Sequence, residues 1–142
     1  MSALADDLKR VSLFCDLSER QLGRLARDFK RRTYAVGMTP VREGEMSGVG
    51  FFVVADGEAS VSVNGSQVGT LRQGDHFGEL SLITERTRTA TVTAVTPLDC
   101  LEMTMWDFRR YVKDNPDVAW KLLRHLAELV ADAPGRTRQH DA

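Results

Sequence analysis

The stretch Gly74-Asp75-His76-Phe77-Gly78-Glu79-Leu80-Ser81-Leu82-Ile83, followed after four intervening residues by Arg88-Thr89-Ala90-Thr91, concentrates the chemistry of this sequence. Gly78 leaves room for a ligand to approach the main chain closely. Glu79 to Ile83 can form one helical turn whose free amides point at a negative group. Arg88 supplies a planar fork that matches a phosphate bidentately. If the strand pleat holds back to residue 88, Arg88 lies on the same side as Ala90, Val92 and Ala94. A guanidinium on an apolar strand face is costly unless a carboxylate or a bound anion meets it. Glu79 is the protein group suited to that task, so a buried Glu79–Arg88 pair without ligand is the competing reading. The glycine before, the exposed turn and the Thr89 hydroxyl after it together favour an anion site.

These residues need elements to hold them. From about Tyr34 to Met103 the pattern has period two, and glycines fall at short intervals. Ala59, Val61 and Val63 alternate with Glu58, Ser60, Ser62 and Asn64, which predicts a strand with one buried face. Asn64-Gly65 is a strong hairpin signal, and Val68 to Leu71 returns. Thr89, Thr91 and Thr93 alternate with Ala90, Val92 and Ala94. Pro97 opens a last strand carrying Leu98, Cys100, Leu101 and Met103. Short strands at this spacing indicate a small antiparallel barrel or sandwich.

Both ends read as helical. Ser18-Glu19-Arg20-Gln21 fits a capping box, and Leu22, Leu25, Ala26 and Phe29 recur behind it at helical spacing. Arg24, Arg27, Lys30, Arg31 and Arg32 are expected on a solvated helix face. Thr104 caps a helix containing Phe108, Tyr111 and Val112, which stops near Asn115-Pro116. A final helix is expected from about Asp117 to Ala131, with Val118, Leu122, Leu126, Leu129 and Val130 as its apolar stripe and Trp120 and Leu123 beside it. The predicted fold class is mainly β with flanking helices (α+β). It is an antiparallel β-roll or jelly-roll barrel with an N-terminal helical segment and two C-terminal helices. Residues 1–132 are read as one domain and 133–142 as a polar tail, broken off at Ala133-Pro134-Gly135.

Composition bounds the function. The chain has 142 residues, 42% hydrophobic and 27% charged, which suits one globular domain. A net charge of −1 argues against a broad nucleic-acid footprint. Cys15 and Cys100 match no zinc or redox spacing and read as reduced thiols. Neither a signal-peptide apolar region nor a run of roughly 18 apolar residues is found, so a soluble, cytoplasmic protein is expected. There is no P-loop, dinucleotide fingerprint or nucleophile elbow. His76, His125 and His140 are too few for a histidine-rich metal site, and His76 is expected in a surface loop. Enzyme activity, a metal and a cofactor are therefore not expected.

Phe77-Gly78-Glu79-Leu80-Ser81-Leu82-Ile83 with Arg88-Thr89-Ala90-Thr91 resembles the phosphate-binding cassette of cyclic nucleotide-binding domains. Such domains occur in the bacterial catabolite activator protein, the cAMP-dependent kinase regulatory subunit and cyclic-nucleotide-gated channels. The resemblance runs from about Leu8 to Val130 and includes Gly37, Glu43-Gly44, Phe52-Val53-Val54, Gly57 and Gly74-Asp75. It implies that Arg88 binds the cyclic phosphate, helped by Gly78, by amides near Leu80 and Ser81, and by the Thr89 hydroxyl. It implies that Glu79 accepts a hydrogen bond from the ribose 2′-hydroxyl, and physical reasoning adds that Glu79 orients Arg88. Val61, Leu71 and Phe77 would wall the sugar and base. Thr87 replaces the proline that usually precedes the cassette arginine. Thr89 resembles members that accept cGMP, so cAMP and cGMP both stay open. Arg124, Leu126, Leu129 and Val130 are the candidates for covering the base.

The function expected from this resemblance is a cyclic nucleotide-binding regulatory or sensor domain in signal transduction. Only about ten polar residues follow Ala131. No effector domain and no DNA binding of the catabolite-activator kind are therefore expected in the chain. The expected partners are a cyclic nucleotide and either a homodimer through the C-terminal helix or a separate effector protein, with no nucleic acid and no membrane. The alternative is a degenerate interaction module of the same fold that binds no nucleotide.

Overall fold

The computed structural model describes residues 3–45, 50–79 and 87–132. Helices α1 (Ala3–Lys9) and α2 (Glu19–Ala26) precede seven described strands. These are β1 (Phe29–Tyr34), β2 (Gly50–Asp56), β3 (Ala59–Val63), β4 (Ser66–Leu71), β5 (His76–Phe77), β6 (Thr91–Ala94) and β7 (Leu98–Thr104). Helices α3 (Met105–Asp114) and α4 (Pro116–Ala131) follow. The strands form two antiparallel sheets, ordered β1-β7-β2-β5 and β4-β3-β6. The β-roll with helices before and after it is the architecture expected from the sequence. The chain divides into two compact units, Met1–Arg109 and Arg110–Ala142, with the division inside α3.

Local signals explain several boundaries. The Ser18 hydroxyl accepts from the Gln21 amide at 3.2 Å, and the Gln21 side chain accepts from the Ser18 amide at 2.9 Å. That reciprocal pair satisfies two donors that the helix leaves open. The β3–β4 hairpin turns at Asn64 (φ 53°) and Gly65 (φ 82°), with Val63 opposite Ser66. Two residues with positive φ match the strand twist, as the Asn-Gly pair predicts. Thr104 Oγ1 accepts from the Asp107 amide at 3.2 Å and starts α3.

One expectation fails at the first strand. Helical spacing carries the predicted helix through Phe29 to Arg32, but α2 ends at Ala26 and Phe29–Tyr34 pairs with β7. Lys30, Arg31 and Arg32 therefore stand on a sheet edge, not on a helix face. Cross-strand pairing decides the matter, because β7 offers carboxylates to this strand. The pleat sends neighbouring arginines to opposite faces. Arg31 bonds Asp99 and, at 2.8 Å, Asp7 of α1, whereas Arg32 reaches Glu102 at 3.1 Å.

Strand β2 is buried through Ala55. On one face Phe51 meets the rings of Phe14, Phe29 and Phe108, with centroids 4.8–6.4 Å away. On the other, Phe52 and Val54 join Val41, Ala59, Phe77, Val92, Ala94, Leu98 and Cys100 in a core shared by both sheets. Phe52 and Phe77 stack at 4.7 Å.

In the second unit, α4 starts at Pro116, where the fixed φ suits a first helical position. Val118 and Leu122 are its buried residues. Leu129 and Val130, expected in the apolar stripe, are instead exposed, as are Trp120 and Leu123. The expected tail lies outside the described residues. Among the described residues no helix is long and apolar enough to cross a membrane.

Candidate functional site

Two backbone segments converge on Arg88. The first is β5, a strand of two residues held against β2 by the pairs Phe52–Phe77 and Val53–His76. It ends at Gly78 with φ +98°, a region that side chains disfavour. A Cβ on Gly78 would stand 2.7 Å from the Gly50 carbonyl oxygen and 3.1 Å from Arg88 Nη1. Glycine is thus required twice, by conformation and by space.

The second segment is the approach to β6. The Arg88 amide donates to Glu45 O at 2.8 Å, and the Gly44 amide donates to Arg88 O at 2.9 Å. Further on, the Glu43 amide donates to Thr91 Oγ1 at 2.9 Å, and Val41 bridges Val92. These bonds fix the main chain at residue 88 although β6 begins only at Thr91. The expected extension of the pleat back to Arg88 therefore does not hold. Arg88 is oriented by a loop-to-loop ladder, a long-range contact that strand periodicity does not encode. Its side chain is nonetheless interior, at 6% exposure.

The guanidinium donates to the carbonyl of Gly78 at 3.0 Å and to that of Gly50 at 3.1 Å. Burial lowers its pKa, while the carboxylates of Glu102, Glu45 and Glu79 act in the opposite direction. Glu79 is as deeply placed, at 4% exposure. Among the described residues, Glu79 and Arg88 are the buried charged ones. Glu79 Oε1 also lies 3.3 Å from His76 Nδ1. His76 is not the surface loop residue that the sequence suggests. It sits in β5 with its side chain 6% exposed, and its ring lies 5.5 Å from that of Phe51. The pairing of β5 with β2 draws it inward.

The other candidates sort as follows. Phe77 belongs to the inter-sheet core, and Val61 and Leu71 pack against it while partly buried. Thr89 is exposed beside Arg88. Leu80 and Ser81, with the helical turn expected over residues 79–83 beyond Glu79, lie outside the described residues. Arg124, Leu126, Leu129 and Val130 all stand on α4 in the second unit. Three residues near Arg88 were not anticipated: Gly50, Glu45 and Glu102. Glu102 had a readable signal, since it shares strand parity with the buried Leu98 and Cys100. Gly50 had none, because its importance is a carbonyl direction.

A buried arginine beside a positive-φ glycine and a buried glutamate, on a two-sheet roll, is an arrangement suited to holding an anion. The cyclic nucleotide-binding domain family matches residues 31–115. The chain therefore belongs to the cyclic nucleotide-binding domain family, whose role is regulatory. It is 34% identical to cGMP-dependent protein kinase isozyme 1 of Drosophila melanogaster, over 94% of this chain and 20% of that protein. It is 37% identical to the cAMP-dependent protein kinase regulatory subunit of Yarrowia lipolytica, over 72% of this chain and 28% of that one. The chain thus spans under a third of the length of these relatives. The structure of the regulatory domain of Toxoplasma gondii PKA with cAMP superposes with a TM-score of 0.77. It is 27% identical, over 88% of this chain and 49% of that chain.

Proposed function

We propose that this chain senses a cyclic nucleotide, cAMP or cGMP, and passes its occupancy to an effector. The observation that carries the reading is the desolvated Arg88 guanidinium, fixed at two carbonyls next to buried Glu79. Burying a cation costs stability unless something repays it, and a bound phosphate does so while the carbonyls hold the fork ready. In this reading Arg88 takes the cyclic phosphate, together with Gly78, the amides near Leu80 and Ser81, and the Thr89 hydroxyl. Glu79 takes the ribose 2′-hydroxyl, and Val61, Leu71 and Phe77 line the apolar side. The whole of residues 1–132 acts as one regulatory domain without a catalytic step, and no metal or cofactor takes part. Output runs through a homodimer along α4 or through a separate effector protein, by preferential ligand binding to one conformational state.

A second reading, an interaction module that binds no nucleotide, draws support from the same site. Arg88 already donates to two carbonyls, which can hold a pocket closed without ligand. Calorimetric titration with cAMP and cGMP separates the two. Binding by the wild type, with affinity reduced on Arg88→Ala by about 1.5–3 kcal/mol, is the expected result for a charged hydrogen bond. Absence of heat with both nucleotides at about millimolar concentration would support the second reading.

A further inference from the structure

Glu102 occupies β7 on the face that carries Leu98 and Cys100, turned to the inter-sheet core, with its side chain only 11% exposed. Its register partner on β2 is Phe52, and Gly50 lies diagonally beyond it on the same face. A Cβ at Gly50 would stand 3.0 Å from Glu102 Cγ and 3.3 Å from Glu102 Oε1. The carbonyl of that same glycine holds Arg88 Nη2 at 3.1 Å. On the outer side, Arg32 Nη1 pairs with Glu102 Oε2 at 3.1 Å, and Arg32 is 59% exposed on the edge strand. One carboxylate therefore pairs with a surface cation and lies beside the glycine whose carbonyl holds the buried cation of the candidate site.

We infer that Glu102 sets the affinity of the Arg88 site for anionic ligands, and that Arg32 tunes it by partly neutralising Glu102. The inference rests on Arg88 being the phosphate-binding group. Glu102 makes its ion pair to Arg32, and Arg88 is held by the Gly50 and Gly78 carbonyls. Removing the Glu102 charge therefore leaves Arg88 oriented and takes away negative potential. That potential has two effects on the site. It offsets the desolvation of Arg88, together with Glu45 and Glu79, and it opposes an incoming phosphate. Because Glu102 is largely buried, salt screens it less than a surface charge. Arg32 counters part of the same potential from outside. Glu102 is thus a tuning residue rather than a ligand contact.

A double-mutant cycle on the full chain tests this, read by calorimetry with cAMP and cGMP. Glu102→Gln should bind roughly 3–10-fold more tightly than wild type, the size of one charge interaction at an effective dielectric near 20. Arg32→Gln, a change at an exposed position, should bind roughly threefold more weakly. In the double variant the Arg32 effect should vanish and the affinity should equal that of Glu102→Gln. Glu102→Asp, which keeps the charge, should stay near wild type. A merely structural role would not reverse the sign of the effect or abolish the Arg32 contribution. Equal affinities across the set, with wild-type binding still lost on Arg88→Ala, would overturn the Glu102 assignment alone. Weaker binding by a folded Glu102→Gln would overturn it too. If the wild type binds neither nucleotide, the phosphate reading falls and this inference with it.

Discussion

The face of β2 that carries Phe51 and the face that carries Gly50, Phe52 and Val54 are both buried, yet they bury different groups. Phe51 meets aromatic rings from before β1, from β1 itself and from α3. The opposite face shares its core with the second sheet and ends at Gly50, where the carbonyl receives Arg88. One face is mainly apolar and stapled by rings, whose T-shaped and stacked pairs add to the burial itself, with His76 at its margin reaching Glu79. The other admits a cation and the carboxylates around it. Two adjacent positions on one strand thus separate what stabilises the fold from what prepares it to bind.

The largest expected effect lies on the first face. Phe51→Ala should cost about 3–5 kcal/mol in urea denaturation, as deletion of a fully buried ring does. The nucleotide affinity of the folded fraction should be unchanged. A parallel loss of affinity would show that the faces are not independent.

Gly78→Ala comes next. Its φ of +98° and the 2.7 Å approach to Gly50 O should cost about 2–3 kcal/mol and remove nucleotide binding. Gly37→Ala, where a Cβ meets nothing within 4 Å, serves as the control for backbone strain without the clash. It should retain binding.

A smaller effect concerns Cys100, on the inter-sheet face. Burial pushes its thiol up to about 12. Because the folded value is raised, its contribution to stability is intact below the unfolded thiol range near 8.5. That contribution is lost as pH rises from there through about 12. Unfolding free energies measured across this alkaline window should fall, and less so in Cys100→Ala. At pH 8 a thiol reagent should modify exposed Cys15 and leave Cys100 untouched until the chain is denatured.

Ser18→Ala is expected to cost least, about 1 kcal/mol from the lost cap, with no change in binding. Denaturation and calorimetry on the same preparation check both parts.

Features governed by neighbours in sequence were legible. The Ser18 cap, the Asn64-Gly65 turn, the alternating β3 and the break between the last two helices at Asn115-Pro116 all follow from short-range chemistry. Arg88 and Glu79 stood out because ionisable residues in an apolar context need a reason to be there. Features set by long-range pairing were not legible. Phe29-Lys30-Arg31-Arg32 becomes a strand because Asp99 and Glu102 lie opposite, some seventy residues away. His76 turns inward because β5 pairs with β2, and Arg88 is aimed by bonds to Gly44 and Glu45. The site's chemistry could be read from residue types. Its geometry depended on carbonyls at Gly50 and Gly78, which no side-chain pattern reports.

Thermal unfolding of wild type and Arg88→Ala, each with and without cAMP or cGMP, tests most directly that Arg88 serves the ligand rather than the fold. A ligand at 100 times its dissociation constant adds about 2.7 kcal/mol to the folded state. For a domain of this size that should raise the wild-type midpoint by roughly 5–12 °C. The variant without ligand should unfold within about 1 kcal/mol of wild type, because relief of a buried charge offsets two unpaired carbonyls. At the same nucleotide concentration its midpoint should rise by less than half as much. A wild-type midpoint indifferent to both nucleotides, or an equal rise in Arg88→Ala, would contradict the assignment.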